Sequence, residues 1–125
     1  MTMEDTIMMN MKVNGTDIKV KLYDNSSAEA VKELLRKGPF TISMKDYAHM
    51  EKFGSFGMQF PTNDELVTTE AGDVILSEGN LLVIYYAPNT WNFTRLGKVQ
   101  DLSETELKNV LGKGSITATL TLTDE

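Results

Sequence analysis

The chain has 125 residues, of which 41% are hydrophobic and 24% charged, and its formal net charge is −6 with no cysteine. This length predicts one domain with a core of its own, residues 1–125. The negative charge disfavours binding to nucleic acids, the lack of cysteine excludes disulfides and cysteine zinc sites, and no apolar run is long enough to span a membrane as a helix.

The N-terminal stretch MTMEDTIMMN does not have the pattern of a secretion signal. Glu4 and Asp5 stand where such a signal is basic, and no long apolar segment follows them. We therefore expect a cytoplasmic protein with residues 1–6 as a disordered tail. A signal or lipid anchor removed from this N-terminus would make the protein secreted or anchored instead.

A β-hairpin is predicted at the start of the chain. Asn14-Gly15 is the strongest two-residue hairpin signal, because both positions accept a positive φ. It separates Ile7–Val13, which is mostly apolar, from Thr16–Tyr23, in which apolar and polar residues alternate as in a half-buried strand.

Two helices are predicted from their N-terminal capping signals. Ser26 with Glu29 and Ser103 with Glu106 each have the spacing of a capping box, in which the two side chains satisfy free backbone N–H groups. The first helix is expected at Ser27–Lys37. A glycine follows each helix and is expected to end it.

Short strands are predicted in the rest of the chain. The central one, Leu81–Ala87, is the longest apolar run and is expected to be buried on both faces, with Tyr85 and Tyr86 on opposite sides. Asp46–Phe53 fits either a helical turn or a loop. The other predicted strands are Phe40–Met44, Leu66–Thr69, Val74–Ser77, Thr90–Phe93, Arg95–Val99 and Ser115–Thr123.

The number of short strands, with turn signals about every 8–12 residues, predicts a mainly β fold. This pattern favours a closed or nearly closed β-barrel capped by two short α-helices. Closure also removes the unpaired strand edges that promote aggregation.

Four short motifs occur in a fixed order along the chain. They are Tyr47-Ala48 ahead of Glu51-Lys52, Gly72-Asp73-Val74, the strand Leu82–Tyr86, and Trp91 followed by Leu96-Gly97-Lys98-Val99. In this order they resemble the motifs of cyclophilin and, more closely, those of the cyclophilin-like family of small, largely uncharacterised bacterial proteins. The resemblance covers the chain from about Val13 and implies a cyclophilin-like barrel.

The resemblance to the enzymatic site of cyclophilins is weaker. Cyclophilins catalyse prolyl cis/trans isomerisation with an arginine that lies just ahead of a Phe-Met-x-Gln segment, to which Phe56-Gly57-Met58-Gln59 is similar. The same spacing places Glu51 at the position of that arginine, so the charge is reversed. The groove histidine of cyclophilins falls near Phe93. The resemblance therefore implies the fold without efficient isomerase activity.

A ligand-binding cleft is predicted from aromatic and charged residues. Arg95 follows Trp91 and Phe93, and an arginine beside an aromatic wall suits a carboxylate or other anion. Tyr47 and Glu51 would share one face of a helical turn. We expect a small anionic or peptidic ligand in a cleft lined by Tyr47, Glu51, Phe56, Gln59, Trp91 and Arg95.

Each of these residues also has a purely structural interpretation. Arg95 would then stack on Trp91 or pair with an acidic residue. Glu51 would be a solvent-facing partner of a neighbouring lysine, and Tyr47 would be half-buried in the core.

The sequence predicts no metal site and no cofactor. His49 is the only histidine, so a metal site would depend on carboxylates, and we expect His49 to be exposed and without a function. We expect no nucleic-acid or membrane partner, and a monomer or a homodimer. Two alternatives to ligand binding are a prolyl isomerase with displaced catalytic residues, with Arg95 as its cation, and an assembly protein that dimerises.

Overall fold

A computed structural model of the chain describes residues 7–48 and 50–124. The expected tail, residues 1–6, and His49 lie outside these described residues. The elements within them are β1 (Ile7–Val13), β2 (Thr16–Leu22), α1 (Ser26–Arg36), β3 (Phe40–Tyr47), β4 (Glu51–Ser55), β5 (Glu65–Thr68), β6 (Asp73–Ser77), β7 (Leu81–Tyr85), β8 (Thr90–Val99), α2 (Glu104–Leu111) and β9 (Ile116–Asp124).

Eight of the strands form a closed antiparallel barrel. Their order around the barrel is β2-β1-β9-β3-β4-β7-β6-β8, and pairing of β8 with β2 closes it. The remaining strand, β5, pairs with the N-terminal part of β8. The predicted mainly β fold, a closed barrel with two short helices, is confirmed.

Side chains of the barrel wall divide into two apolar clusters because neighbouring residues of a strand point to opposite faces. The larger cluster fills the barrel interior. The smaller one, called the outer cluster below, consists of Val67, Ile75, Val83, Tyr85 and Phe93. On β7 the alternation is complete, since Leu82 and Ile84 belong to the interior and Val83 to the outer cluster.

The central apolar run is buried on both faces, as predicted, because each face of β7 contributes to one of the clusters. Tyr85 lies in the outer cluster and Tyr86 in the interior. The prediction that these neighbouring tyrosines point to opposite sides is therefore confirmed.

The two helices differ in how well their capping was predicted. The capping box of Ser103 and Glu106 is present on α2. On α1 the predicted box is wrong, because Asn25 is the N-cap and its side chain accepts a hydrogen bond of 2.8 Å from the Ala28 N–H. Asparagine caps as well as serine does, and the Asn25 amide also donates to the Arg95 carbonyl, which holds it in place.

Two strand predictions need correction. Asp46–Phe53 is neither a helical turn nor a loop, because β3 extends to Tyr47, turns at Ala48 with a φ of 54°, and returns as β4. The two short pieces predicted around Arg95 are one continuous strand, β8. This long strand pairs with β5 at one end and with β6 and β2 further on.

Candidate functional site

The β3–β4 hairpin brings Tyr47 and Glu51 together. They are direct partners across the two strands, so they share a face through strand pairing and not through the helical spacing that was predicted. The side chain of Tyr47 is 58% exposed, and its ring meets that of Phe53 edge-on with centroids 6.3 Å apart. Tyr47 is therefore a surface residue and not half-buried in the core.

Glu51 is half-buried on the outer face of the barrel wall and hydrogen-bonds Tyr85, its partner on β7. Burial raises the pKa of the Glu51 carboxyl, the hydrogen bond from Tyr85 acts in the opposite direction, and the negative charge of Asp46 raises it further. Burial also raises the pKa of Tyr85, whose hydroxyl accepts a hydrogen bond of 3.1 Å from the Asn89 amide.

Trp91 and Arg95 both lie exposed on β8, with 66% of the Trp91 side chain accessible. Within the described residues the Arg95 guanidinium forms no ion pair and no ring contact. Among the described residues, Arg95 therefore neither stacks on Trp91 nor pairs with an acidic residue, as the structural interpretation had predicted it would. Four residues of strand separate the two Cα atoms by about 13 Å.

The strand register separates Arg95 from the Tyr47–Glu51 pair. Phe53, Val83, Ile75 and Arg95 are successive partners in one row across four strands. Three strand spacings place Arg95 roughly 14 Å from the β4 end of this row. The two groups of predicted residues therefore lie at opposite sides of the outer face.

Phe56 and Gln59 belong to the loop between β4 and β5, which packs against the turn between β6 and β7. Phe56 is 2% exposed, and its ring packs against Phe60 with centroids 4.8 Å apart. Gln59 is exposed, and its amide donates a hydrogen bond of 2.8 Å to the Glu78 carbonyl. The ring of Phe56 is thus part of the core and not of an open wall, and Gln59 connects the β4–β5 loop to the turn between β6 and β7.

Three polar side chains that the sequence analysis did not select meet inside the barrel: Asp46, Lys52 and Tyr86. The fully buried Lys52 ammonium lies 3.2 Å from an Asp46 carboxylate oxygen and donates a hydrogen bond of 2.6 Å to the Gly114 carbonyl. The Tyr86 hydroxyl donates to the same Asp46 oxygen, and Lys52 lies 5.9 Å from the Tyr86 ring centre.

This interior cluster forms one side of a pocket at the end of the barrel. Burial, together with the Asp46 carboxylate, raises the pKa of Tyr86. The pocket, called the barrel-end pocket below, has a volume of about 490 Å³. Its lining residues come from β3, from the end of β7, and from α2 with the loop after it: Asp46, Tyr86, Lys108, Asn109, Gly112, Lys113 and Gly114.

Among residues 7–48 and 50–124, no group of three or more acidic residues, histidines or cysteines has the arrangement of a metal site. In the same part of the chain, no helix has the length and apolar character required to cross a bilayer.

Comparison with known proteins identifies the family. A family model described as the Cyclophilin-like family matches residues 11–122, which is most of the chain. The chain belongs to the cyclophilin-like family. A search of curated proteins finds no match.

A solved structure supports the same fold. The solution structure of a hypothetical protein from Archaeoglobus fulgidus superposes on this cyclophilin-like domain with a TM-score of 0.67 and 13% sequence identity. The match covers 97% of this chain and 98% of that one. This neighbour is archaeal, and a bacterial source for the present chain stays a prediction.

In this cyclophilin-like domain, the two positions that the resemblance assigns to isomerase side chains lie on the outer face. Glu51 stands at the arginine position, beside Tyr85. Phe93, near the histidine position, is 5% exposed and belongs to the outer cluster together with Val67 of β5. The domain therefore has a carboxylate at the position of the cyclophilin arginine. At the position of the groove histidine, β5 covers the apolar surface.

Proposed function

We propose that this cyclophilin-like domain binds a small anionic or peptidic ligand on its outer face, through Arg95 and Trp91, without efficient prolyl isomerase activity. The observation that carries the proposal is the exposed Arg95 guanidinium, which has no ion pair in the described part of the chain. An arginine can donate two parallel hydrogen bonds to one carboxylate. The exposed indole of Trp91 offers apolar area on the same strand.

The separation of Trp91 and Arg95 favours a peptide over a very small molecule. An extended peptide advances about 3.3 Å per residue, so roughly four residues span the distance between these two Cα atoms. A peptide with an aromatic residue at one end and a carboxylate at the other would contact both side chains. A single small carboxylate would contact Arg95 alone and would bind more weakly.

The absence of efficient isomerase activity is supported by two features of the outer face. Isomerisation needs a cation directed at the prolyl nitrogen in an apolar groove, but Glu51 offers a negative charge. The apolar surface itself is occupied, because Val67 of β5 is 2% exposed and packs among Ile75, Val83 and Phe93.

The test is calorimetric titration with an acetylated tetrapeptide that begins with phenylalanine and ends with aspartate. The same peptide with asparagine amide at its end serves as the matched ligand without a carboxylate. We expect the acidic peptide to bind more tightly, and Arg95→Ala to weaken its binding about tenfold, the effect of losing one charge-assisted hydrogen-bond pair. Trp91→Ala should weaken both peptides.

The matched control is Arg36→Ala. Arg36 is the only other arginine of the chain, and it pairs with Glu33 on the exposed surface of α1. This control should leave binding unchanged. Equal binding of the two peptides, or equal weakening by Arg36→Ala, would show that Arg95 does not recognise a carboxylate.

A further inference from the structure

We infer that the barrel-end pocket is a second binding site, for a small organic anion that also carries hydroxyl groups. The pocket lies on the interior side of the barrel wall, with Asp46 and Tyr86, whereas the proposed peptide site lies on the outer face with Arg95. Its volume of about 490 Å³ falls within the range of small-molecule sites.

The two polar side chains of the barrel wall that line the pocket, Asp46 and Tyr86, are already held in place. The Lys52 ammonium connects Asp46 on β3 to the Gly114 carbonyl in the loop after α2. The Tyr86 hydroxyl donates to Asp46 from the end of β7. Because these contacts fix the wall and the loop relative to each other, a ligand would bind with little further cost of ordering the site.

The rim of the pocket is positively charged although the chain carries a net charge of −6. Lys108 pairs with Glu104 at 2.9 Å, so this lysine adds little net charge. Lys113 forms no ion pair within residues 7–48 and 50–124 and supplies one uncompensated positive charge. An anion is therefore attracted to this rim, while the acidic remainder of the surface repels it.

The loop that carries Lys113 is open to the pocket. Gly112 and Gly114 flank the lysine with φ values of 66° and 76°, a conformation that favours glycine. A Cβ atom at either glycine would meet nothing within 4 Å. The glycines are thus needed for the backbone conformation, and their lack of side chains leaves space beside the lysine.

The acidic residue in the lining determines what kind of anion fits. Asp46 is paired with Lys52, but its carboxylate oxygens still only accept hydrogen bonds, so an anion without donors makes no favourable contact with them. A molecule with its anionic group at Lys113 and a hydroxylated part toward Asp46 and Tyr86 suits both ends of the pocket. Its hydroxyl groups would donate to the Asp46 carboxylate and to the Tyr86 hydroxyl oxygen.

The test is a titration of ¹⁵N-labelled protein with glycerol 3-phosphate, malate and inorganic phosphate, followed through the amide signals of residues 109–114. We expect saturable shifts with the two organic anions and weaker binding of inorganic phosphate. Lys113→Ala should weaken organic-anion binding about tenfold, as expected for a lost charge-assisted contact. Lys12→Ala, at an exposed position on β1, is the matched control and should have no effect.

The outcomes separate this site from the outer face. Arg95→Ala should leave the shifts at residues 109–114 unchanged, so that failure of peptide binding and failure of this site are distinguishable. No saturable shift with either organic anion overturns the inference. Equal weakening by Lys12→Ala would indicate a general charge effect, and phosphate binding as tight as that of glycerol 3-phosphate would contradict the role of the hydroxyl groups.

Discussion

Asp46 and Lys52 face each other across the β3–β4 hairpin, with their charged groups 3.2 Å apart on the interior side of the barrel wall. Lys52 is fully buried, whereas Asp46 keeps 16% of its side-chain exposure where it lines the barrel-end pocket. Desolvation of a charge is tolerated only when a partner compensates it. The lysine is therefore tolerated inside the barrel because the aspartate and the Gly114 carbonyl compensate its charge.

Replacement of Lys52 by methionine should be strongly destabilising. The substitution keeps the volume of the side chain but removes the ammonium that faces the partly buried Asp46 carboxylate, and breaking a pair in this way costs about 3 kcal/mol. Urea unfolding followed by tryptophan fluorescence measures the loss. Adding Asp46→Asn to Lys52→Met should recover part of the lost stability, because the double variant no longer keeps a partly buried carboxylate opposite an apolar side chain.

The control for this substitution is Lys45→Met, at an exposed position of the same hairpin. A surface change of this kind should alter the free energy of unfolding by no more than about 0.5 kcal/mol. If Lys52→Met costs no more than Lys45→Met, the buried pair has no special role in stability.

The fold could be predicted because its signals are local. The run at β7 is bounded by Gly79-Asn80, the alternation in Ile116–Asp124 marks a half-buried strand, and Ser103 with Glu106 marks the start of α2. Each signal depends on neighbouring residues and on the two-residue period of strands. The order of these elements was then sufficient to suggest a closed barrel.

The site was harder to predict because it depends on register and strand order. The turn between β3 and β4 is made at Ala48 with a positive φ, a conformation that is rare for alanine. The glycine or asparagine that usually marks such a turn is missing there, so no local signal indicated a hairpin. Without the hairpin, Lys52 could not be assigned to the interior. The separation of Arg95 from Glu51 likewise follows from the order β4-β7-β6-β8, which no local pattern shows.

Protonation of Glu51 should stabilise the fold. Burial raises its pKa above the ordinary value of 4.5, so the folded chain binds this proton more tightly than the unfolded chain does. The stabilisation that this bound proton provides is therefore fully present at pH values below the ordinary pKa. It is lost as the pH rises through the raised pKa of the folded state. Glu51→Gln should flatten the pH dependence of unfolding in that window and raise stability at neutral pH.

The measurement is urea unfolding at a series of pH values on either side of 4.5, the ordinary value for Glu51. Glu65→Gln, which removes an exposed carboxylate from β5, is the matched control and should keep the wild-type profile. A Glu51→Gln profile with the same slope as wild type would mean that burial does not control this carboxyl.

Gly54 should tolerate no larger residue. A Cβ atom there would overlap the Ser43 carbonyl oxygen and the Ile42 side chain on β3. The backbone cannot retreat without breaking the β3–β4 wall, so Gly54→Ala should cost at least about 2 kcal/mol through overpacking. Gly57→Ala, where the φ of 75° is strained but the surrounding space is open, should cost only about 1 kcal/mol. Equal losses in thermal unfolding would contradict the crowding at Gly54.

Prolyl isomerase activity should be absent from the wild-type domain and from Glu51→Arg. The uncatalysed barrier is about 18–20 kcal/mol, and its reduction needs both a directed cation and access to an apolar groove. Glu51→Arg supplies the charge but leaves Val67 packed over Phe93 and its neighbours in the outer cluster. A protease-coupled assay on a proline peptide measures the rate, with a cyclophilin as the positive control.

The two possible positive results have different meanings. Acceleration by the wild-type domain would overturn the proposed function, since Glu51 would then not prevent catalysis. Acceleration by Glu51→Arg alone would mean that the reversed charge is the only obstacle and that β5 moves aside for a peptide. If neither variant is active, Val67→Gly added to Glu51→Arg tests the cover directly, because it removes the side chain that fills the outer cluster while leaving the new cation in place.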